Sequence, residues 1–315
     1  MSPLVETVAF VFALVALGHL SGWCGLLKPE TGAGLSDFAV SVAMPLLLFR
    51  TMGSADFDGS LPLQLWATYF SAVAVAWIVA QLTVIHLFGR DSRAGVVGGL
   101  SGSFSNLALV GIPFALGVFG QPGFEILSLI LSIHLPIMMA MSVVLFSWYG
   151  GEDAPHGFWP VLGDFLRSMA TNPLIIGIVA GLAWRATGAE MPALAARLVD
   201  ALANVAAPVA LFALGLGLRR YGIAGNIRPA VAMAAVKLIL MPAVVLGAAK
   251  LTGLTGLSAK VAVAAAAMPL GVNPYLIAMR FGTGQALASN SMTISTAFAV
   301  LTTSFWIIVA QWVFG

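Results

Sequence analysis

A chain of 315 residues with 60% apolar and only 8% charged residues does not fit a soluble enzyme, whose charged fraction is roughly 25%. The formal net charge is +2, and the lysines and arginines are scattered over short loops, so nothing indicates nucleic-acid binding. A mean hydropathy of +1.01 places apolar sequence along the whole chain. Because the bilayer core holds no water, and because the alternation typical of barrel strands is missing, we predict an all-α membrane protein.

Ten apolar segments of membrane-crossing length follow one another between charged or Gly/Pro-rich breaks. They lie near residues 4–24, 34–52, 62–88, 94–119, 124–149, 164–185, 196–218, 228–250, 258–281 and 286–313. The loops on one side carry eight lysines and arginines against five on the other, which favours both termini outside a cell (inner) membrane. The single cysteine, Cys24, leaves no intrachain disulfide and no cysteine-based metal site, and we expect no cofactor.

The second and seventh segments are similar in sequence. Residues Leu35 to Phe49 and residues Leu198 to Phe212 share seven identities in fifteen positions at a shift of 163 residues, including an Asp, a Pro and a Phe. We therefore predict a first five-helix repeat at 1–150, a cytoplasmic connector at 151–163 and a second repeat at 164–315. Five crossings reverse the chain direction, so the second repeat is inverted, which is the usual build of secondary transporters.

The fourth and ninth segments carry Gly/Pro breaks at matching depths. Proline removes a backbone N–H, and glycine lets the chain leave helical geometry, so polar groups are freed inside the membrane. The N-terminal ends of the half-helices that follow suit a carboxylate. The predicted substrate site comprises Asn106, Gly111, Pro113, Pro269, Gly271, Asn273 and Pro274. For the two asparagines, hydrogen bonding between helices is the alternative role.

Polar residues inside the segments supply further candidates. Lys237 lies near mid-depth of segment eight without an acidic residue at the same depth, and it is a candidate for substrate contact or for a structural or coupling role. His134 in segment five is a candidate carrier of a coupling proton, with packing as the alternative. The small polar residues between Ser289 and Thr296 are interpreted mainly as helix-packing positions. A basic rather than acidic interior favours an organic anion as substrate.

The motifs MPLLLF, APVALFALGLGL, KLILMP and AAMPLGVNPYLIAMRFG, with the Ser/Thr-rich final span, resemble the auxin efflux carrier family, which includes bacterial malonate carriers. The resemblance covers essentially the whole chain. It implies ten spans with both termini outside, and crossed, Pro-broken fourth and ninth helices that bear the substrate near Pro113 and residues 269–274. It also implies an elevator in which segments three to five and eight to ten move. Segments one, two, six and seven would form the scaffold, where a homodimer would also form. Plant members have a long loop between the halves, so the short connector here indicates a prokaryotic carrier.

Two other functions fit parts of the sequence. A sodium-coupled organic-anion symporter of the bile-acid type would share the architecture, but we would expect acidic or Asn-rich cation ligands near the crossing. An intramembrane serine protease is suggested only by a GxSG match at residues 99–102, which leaves the repeat and the paired breaks unexplained. We therefore predict no catalytic residues and no enzyme, but a carrier in contact with a lipid bilayer and a small carboxylate, with a proton as the candidate coupling ion.

Overall fold

The computed structural model describes residues 3–54, 62–150, 162–163, 166–167, 169–217 and 225–315. Thirteen α-helices lie within that part of the chain. They are α1 (Pro3–Trp23), α2 (Pro29–Phe38), α3 (Met44–Ser54), α4 (Leu63–Leu82), α5 (Ser92–Ser103), α6 (Ile112–Trp148), α7 (Pro173–Thr187), α8 (Ala193–Gly217), α9 (Arg228–Ala235), α10 (Met241–Thr252), α11 (Gly256–Ala267), α12 (Asn273–Arg280) and α13 (Gln285–Phe314). Most of the predicted connector at 151–163 lies outside the described residues.

Every one of the ten predicted segments contains helix, and no strand occurs in the described ranges, which confirms an all-α membrane protein. Six helical stretches among the described residues are long and apolar enough to cross a bilayer. They are Glu30–Ser54, Leu63–Leu87, Leu107–Trp148, Ala193–Gly217, Arg228–Thr252 and Gln285–Phe314. The longest of these changes direction at Gly120, whose φ of 67° lies in the left-handed region that favours glycine, and this separates the predicted segments four and five.

Three short π-helical turns each end two residues before a proline. They are Ala39–Ala43 before Pro45, Leu107–Gly111 before Pro113, and Val236–Leu240 before Pro242. A proline ring clashes with the carbonyl four residues earlier, and a widened turn gives that carbonyl room without ending the helix. Behind Pro242, the freed carbonyl of Leu238 accepts a hydrogen bond from the Trp306 indole N–H at 2.8 Å. These prolines therefore bend the helices without ending them.

The first of two compact units comprises Met1–Leu61, Ala108–Ser132 and Leu166–Arg220. In it, α1 packs on α8 and α3 packs on α7, and both contacts depend on glycine. A methyl group at Gly18 would lie 2.1 Å from the Phe212 carbonyl oxygen, and one at Gly181 would lie 2.5 Å from the Phe49 carbonyl oxygen. A shift of 163 residues places Gly18 on Gly181 and Phe49 on Phe212, so each of these contacts is the counterpart of the other. The same close approach of backbones is thus built twice from corresponding residues.

The second unit comprises Pro62–Leu107, Ile133–Phe165 and Tyr221–Gly315. Within it, α5 packs closely on α4, and α13 packs on α9 and α11. Asp91 caps the start of α5, where its carboxylate accepts a hydrogen bond from the Ala94 N–H at 2.9 Å. Glycines face the α4 helix, because a methyl group at Gly102 would lie 2.5 Å from Ala80 Cβ. This unit contains both helix interruptions that form the candidate site.

Candidate functional site

Two helices of the second unit are interrupted at corresponding positions. Helix α5 ends at Ser103, Phe104 is extended with φ −78° and ψ 105°, and helical geometry resumes at Leu107. Helix α11 ends at Ala267, Met268 is extended with φ −60° and ψ 144°, and α12 begins at Asn273. The 163-residue shift places residues 104–106 on 267–269. Both helices are therefore interrupted, the first at Phe104 rather than at Pro113.

The two interruptions pair with each other through their backbones. Ser105 and Leu270 form an isolated antiparallel β-bridge, and the Asn106 N–H donates to the Pro269 carbonyl at 2.8 Å. In a helix these groups would bond along the chain, and in a membrane they have no water to replace that bond. Because the two breaks pair, the backbone groups of each break supply hydrogen-bond partners to those of the other. The bridge defines what we call the crossing, residues 104–106 and 268–272.

The crossing brings together several of the predicted site residues. Asn106 is buried with 7% of its surface exposed, and a methyl group at Gly271 would lie 3.5 Å from its Cα atom. Pro269 accepts the hydrogen bond from Asn106 and is itself buried. Asn273 and Pro274 form the first turn of α12, where Asn273 is half-buried. These five residues thus lie at or directly beside the crossing.

Gly111 and Pro113 do not lie at the break. Gly111 is the last residue of the π-helical turn Leu107–Gly111, and Pro113 is the second residue of α6, so the chain is helical through both. The prediction that a half-helix begins after Pro113 is wrong, because the π-helical turn accommodates the proline ring. The chain leaves helical geometry earlier, at Phe104. Both residues belong to the first unit.

Hydroxyl groups from other helices hold the crossing, and sequence patterns did not identify their role. The Tyr69 hydroxyl of α4 donates to Ser105 Oγ at 3.1 Å, and Ser295 Oγ of α13 accepts from the Leu270 N–H at 3.1 Å. Thr303 Oγ1, two turns further along α13, donates to the Ala267 carbonyl at 3.1 Å. Ser295 lies in the polar stretch, between Ser289 and Thr296, for which the sequence predicts mainly helix packing. The sequence shows Tyr69 as one of four tyrosines, inside an apolar segment, but does not show its partner.

His134 is enclosed by aromatic rings beside the first break. Its ring centroid is 5.0 Å from that of Phe104 and 5.7 Å from that of Tyr69, and Nδ1 is 3.5 Å from the Tyr69 hydroxyl. Only 1% of the residue is exposed. Nε2 has no hydrogen-bond partner among the described residues. His134 therefore connects to the crossing through Phe104 and through the Tyr69–Ser105 hydrogen bond.

Lys237 lies at the second break. It is fully buried in the π-helical turn Val236–Leu240, and its ammonium donates a hydrogen bond to the Ala266 carbonyl. Ala266 is in the last turn of α11, where helix carbonyls have no partner within the helix and carry partial negative charge. Among the described residues no carboxylate pairs with Lys237. The cation thus faces the C-terminal end of a broken helix.

Two further cations, Arg50 and Arg280, have other partners. Arg50 pairs with Asp200 at 2.9 Å and also donates to Asn204 at 3.0 Å, all within the first unit. Arg280 is exposed, and its guanidinium carbon lies 5.8 Å from the centroid of the Phe281 ring. Lys237 is the buried cation of the described part of the chain.

The crossing carries groups that can donate hydrogen bonds to an anion. Two half-helices, from Leu107 and from Asn273, begin directly after the unwound backbone, and helix N-termini carry partial positive charge. An asparagine side chain stands at each of these starts and can donate hydrogen bonds to a carboxylate. Broken helices at the middle of a membrane protein are where transporters bind their substrates.

Comparison with known proteins assigns the family. The model of the family described as "Membrane transport protein" matches residues 3–307. The chain belongs to this family of membrane transporters. It is 26% identical over 314 residues to a protein of Rhizobium meliloti (strain 1021) named "Putative malonate transporter", with 96% of this chain and 94% of the relative covered. It is 22% identical over 350 residues to auxin efflux carrier component 8 of Arabidopsis thaliana, with 95% of each covered.

This membrane transport protein is also 24% identical over 317 residues to a protein of Methanothermobacter thermautotrophicus named "Uncharacterized transporter", with 96% of this chain and 97% of the relative covered. The resemblance to auxin efflux carriers is thereby confirmed, and the protein is a multi-pass membrane transporter.

Family membership favours a carrier over the protease. The glycines of the GxSG match are also explained by packing, since a methyl group at Gly99 would lie 2.5 Å from the Trp77 indole nitrogen.

Proposed function

We propose that this membrane transport protein is a secondary active carrier or uniporter of a small organic anion, such as malonate or another carboxylate, without an ATP site. The observation that carries the proposal is the pairing of two broken helices through Ser105–Leu270 and Asn106–Pro269. Unwound backbone at membrane depth is tolerated where it lines a cavity or meets a ligand. Such a crossing is the position at which secondary transporters hold their substrate.

The substrate site in this proposal is the crossing and the two helix starts beside it. A carboxylate would take hydrogen bonds from the side-chain amides of Asn106 and Asn273, beside the partial positive charge of the α12 N-terminus. Pro269 and Pro274 keep the second break open because neither supplies a backbone donor to a continuous helix. Gly271 leaves space beside Asn106, since even a methyl group there would only reach contact distance. Gly111 and Pro113, which continue the chain in helical geometry, are not part of this proposed site.

The buried cation and the relatives support a carboxylate. Lys237 supplies positive charge near the second break, and the basic character of the interior disfavours a cationic substrate. The proposal has two forms: in one, Lys237 contacts the substrate directly, and in the other it acts on the substrate through α11. The name of the Rhizobium relative refers to malonate, which makes malonate the first substrate to test.

The transport mechanism in this proposal is an elevator built from two inverted five-helix repeats. The exchange of the Gly18–Phe212 and Gly181–Phe49 contacts at the 163-residue shift supports the repeat. The division into compact units supports separate scaffold and moving parts, because segments one, two, six and seven fall in the first unit. Segments three, eight, nine and ten, with part of four and five, fall in the second. The crossing then moves together with the substrate.

We assign the coupling role to His134 and a proton rather than to sodium. An imidazole can bind and release a proton, and His134 reaches the crossing through Phe104 and Tyr69. Substitution of His134 by Gln should leave downhill malonate transport but abolish its response to an imposed pH gradient. The matched control is His86→Gln, because His86 is exposed at the end of the third segment. An unchanged pH response in His134→Gln would remove the histidine from the mechanism.

Uptake by the purified protein in liposomes tests the function directly. Labelled malonate should enter protein-containing vesicles without ATP, and unlabelled malonate should compete for it. The same uptake with and without a sodium gradient separates the proposal from the bile-acid type of symporter. Strict sodium dependence would favour that symporter, and absence of uptake for malonate and other small carboxylates would refute an organic-anion carrier.

A further inference from the structure

The Lys237 ammonium occupies an unusual position for a lysine in a membrane protein. The residue is fully buried, and its ammonium donates a hydrogen bond to the carbonyl of Ala266, in the last turn of α11. Within the described residues the sole ion pair joins Arg50 and Asp200, so no carboxylate balances the lysine there. A buried cation without a carboxylate is costly and needs another source of negative potential.

The end of α11 supplies that potential. Its last four carbonyls have no partner in the helix, because the chain turns to extended geometry at Met268. Two of them are satisfied by side chains, Ala266 by Lys237 and Ala267 by Thr303. The aligned peptide dipoles add about half a negative charge at this end. The ammonium is therefore held by the C-terminal end of a half-helix.

The first break is held by neutral groups instead. At the end of α5, the Ser103 hydroxyl donates to the Gly99 carbonyl at 2.7 Å, and Tyr69 donates to Ser105. The two breaks correspond in sequence, yet among the residues described a cation serves only the second. If a cation were needed only to cap a broken helix, we would expect one at both breaks. Its presence at the second break alone, in the described part of the chain, indicates a specific role for Lys237.

In transporters with broken helices, unwound carbonyls and C-terminal ends of half-helices are the groups that coordinate a coupling sodium ion. We propose that the Lys237 ammonium takes the place of that ion: a covalently attached cation that holds the α11 end in the geometry needed for the crossing. This proposal rests on the carrier function above. It makes Lys237 a positioning residue that acts on substrate through α11, and it makes transport independent of sodium.

A salt comparison without substrate tests the proposal. Melting temperatures of purified wild type, Lys237→Ala and Lys250→Ala are measured in sodium chloride and in choline chloride at about 0.15 M. Lys250 is the control, because it lies on α10 in the same span and is exposed. Wild type and Lys250→Ala should melt at the same temperature in both salts. In choline chloride, Lys237→Ala should melt at a lower temperature than the wild type. In sodium chloride its melting temperature should rise by about 3 °C, which is the stabilisation expected from a sodium ion bound at about ten times its Kd.

Two results of the salt comparison would overturn the proposal: sodium stabilisation of the wild type, or no sodium-specific gain in Lys237→Ala. Neither depends on carboxylate transport, so failure of the proposed substrate leaves this comparison readable.

If the alanine variant does not fold, Lys237→Met replaces it in the test, because methionine keeps much of the side-chain volume without the charge. Its uptake should fall about tenfold or more, by the same factor for monocarboxylates and dicarboxylates. A loss confined to dicarboxylates would mean that the ammonium contacts the substrate, and undiminished uptake would mean that the charge has no role. Either result would contradict the proposal.

Discussion

Asn106 and Tyr69 illustrate what sequence reasoning reaches at the scale of single residues. Asn106 could be selected because an amide inside an apolar helix is conspicuous in the sequence. Tyr69 could not be assigned, because its partner Ser105 is 36 residues away and the contact exists only once α4 and α5 have packed. Polar residues are visible from composition, whereas their partners are set by tertiary packing.

The Tyr69 hydroxyl should contribute to transport through Ser105. Tyr69→Phe removes a buried hydrogen bond at the crossing, and a loss of about 1 kcal/mol corresponds to about fivefold slower uptake. Tyr149→Phe is the control, since its hydroxyl accepts from Gln81 at 3.1 Å on the exposed part of the same unit. Uptake rates in liposomes compare the two, and equal rates would remove Tyr69 from the site.

At the scale of helices, the sequence predicted two matched interruptions but placed the first one too late. Prolines mark where a helix is strained, and the structure shows that a π-helical turn absorbs the strain at Pro45, Pro113 and Pro242. The break at Phe104 has no proline in it. It is stabilised by the β-bridge to Leu270 and by the hydrogen bond to Pro269, which are contacts between distant segments. Local sequence cannot report such pairing.

The Trp306 indole should stabilise the bent span that contains Lys237. Trp306→Phe leaves the Leu238 carbonyl without its donor behind Pro242, at a cost of about 1–3 kcal/mol. Trp312→Phe on the same helix is the control, because Trp312 is 86% exposed. Thermal unfolding in detergent should separate the two variants by several degrees. Equal melting temperatures would show that the carbonyl is satisfied in another way.

The close contact of α4 and α5 should tolerate no side chain at Gly102. Its added methyl group would meet Ala80 Cβ at 2.5 Å and Val236 Cγ1 at 3.2 Å, so Gly102→Ala should destabilise the protein by about 1–3 kcal/mol. Gly247→Ala is the matched helical control, with nothing within 4 Å of the added carbon. There the alanine should raise stability slightly. Melting curves of both variants measure the difference, and a Gly102→Ala protein as stable as wild type would contradict the packing.

At the scale of the whole molecule, composition was sufficient for the all-α membrane class, and the motifs were sufficient for the family. The 163-residue similarity predicted repeats at 1–150 and 164–315. The compact units follow a different division, since each takes residues from both halves of the chain. Sequence similarity identifies the repeated segments along the chain, whereas the compact units are determined by which helices pack together.

The single cysteine makes the orientation measurable. Cys24 is exposed directly after α1, so with both termini outside it should face the cytoplasm. A membrane-impermeant maleimide should label it in inside-out vesicles and not in intact cells. Cys24→Ser controls for background. Labelling of intact cells would reverse the predicted orientation.

The central claim is that the crossing binds the transported carboxylate, and the most direct measurement is malonate uptake by liposomes containing Asn106→Ala or Asn273→Ala. Each substitution removes an amide at a half-helix start and should lower uptake about tenfold, while the protein stays folded in the membrane. Asn204→Ala, which loses only its hydrogen bond with Arg50 in the first unit, should transport like wild type. Full uptake by both the Asn106 and Asn273 variants would contradict the account.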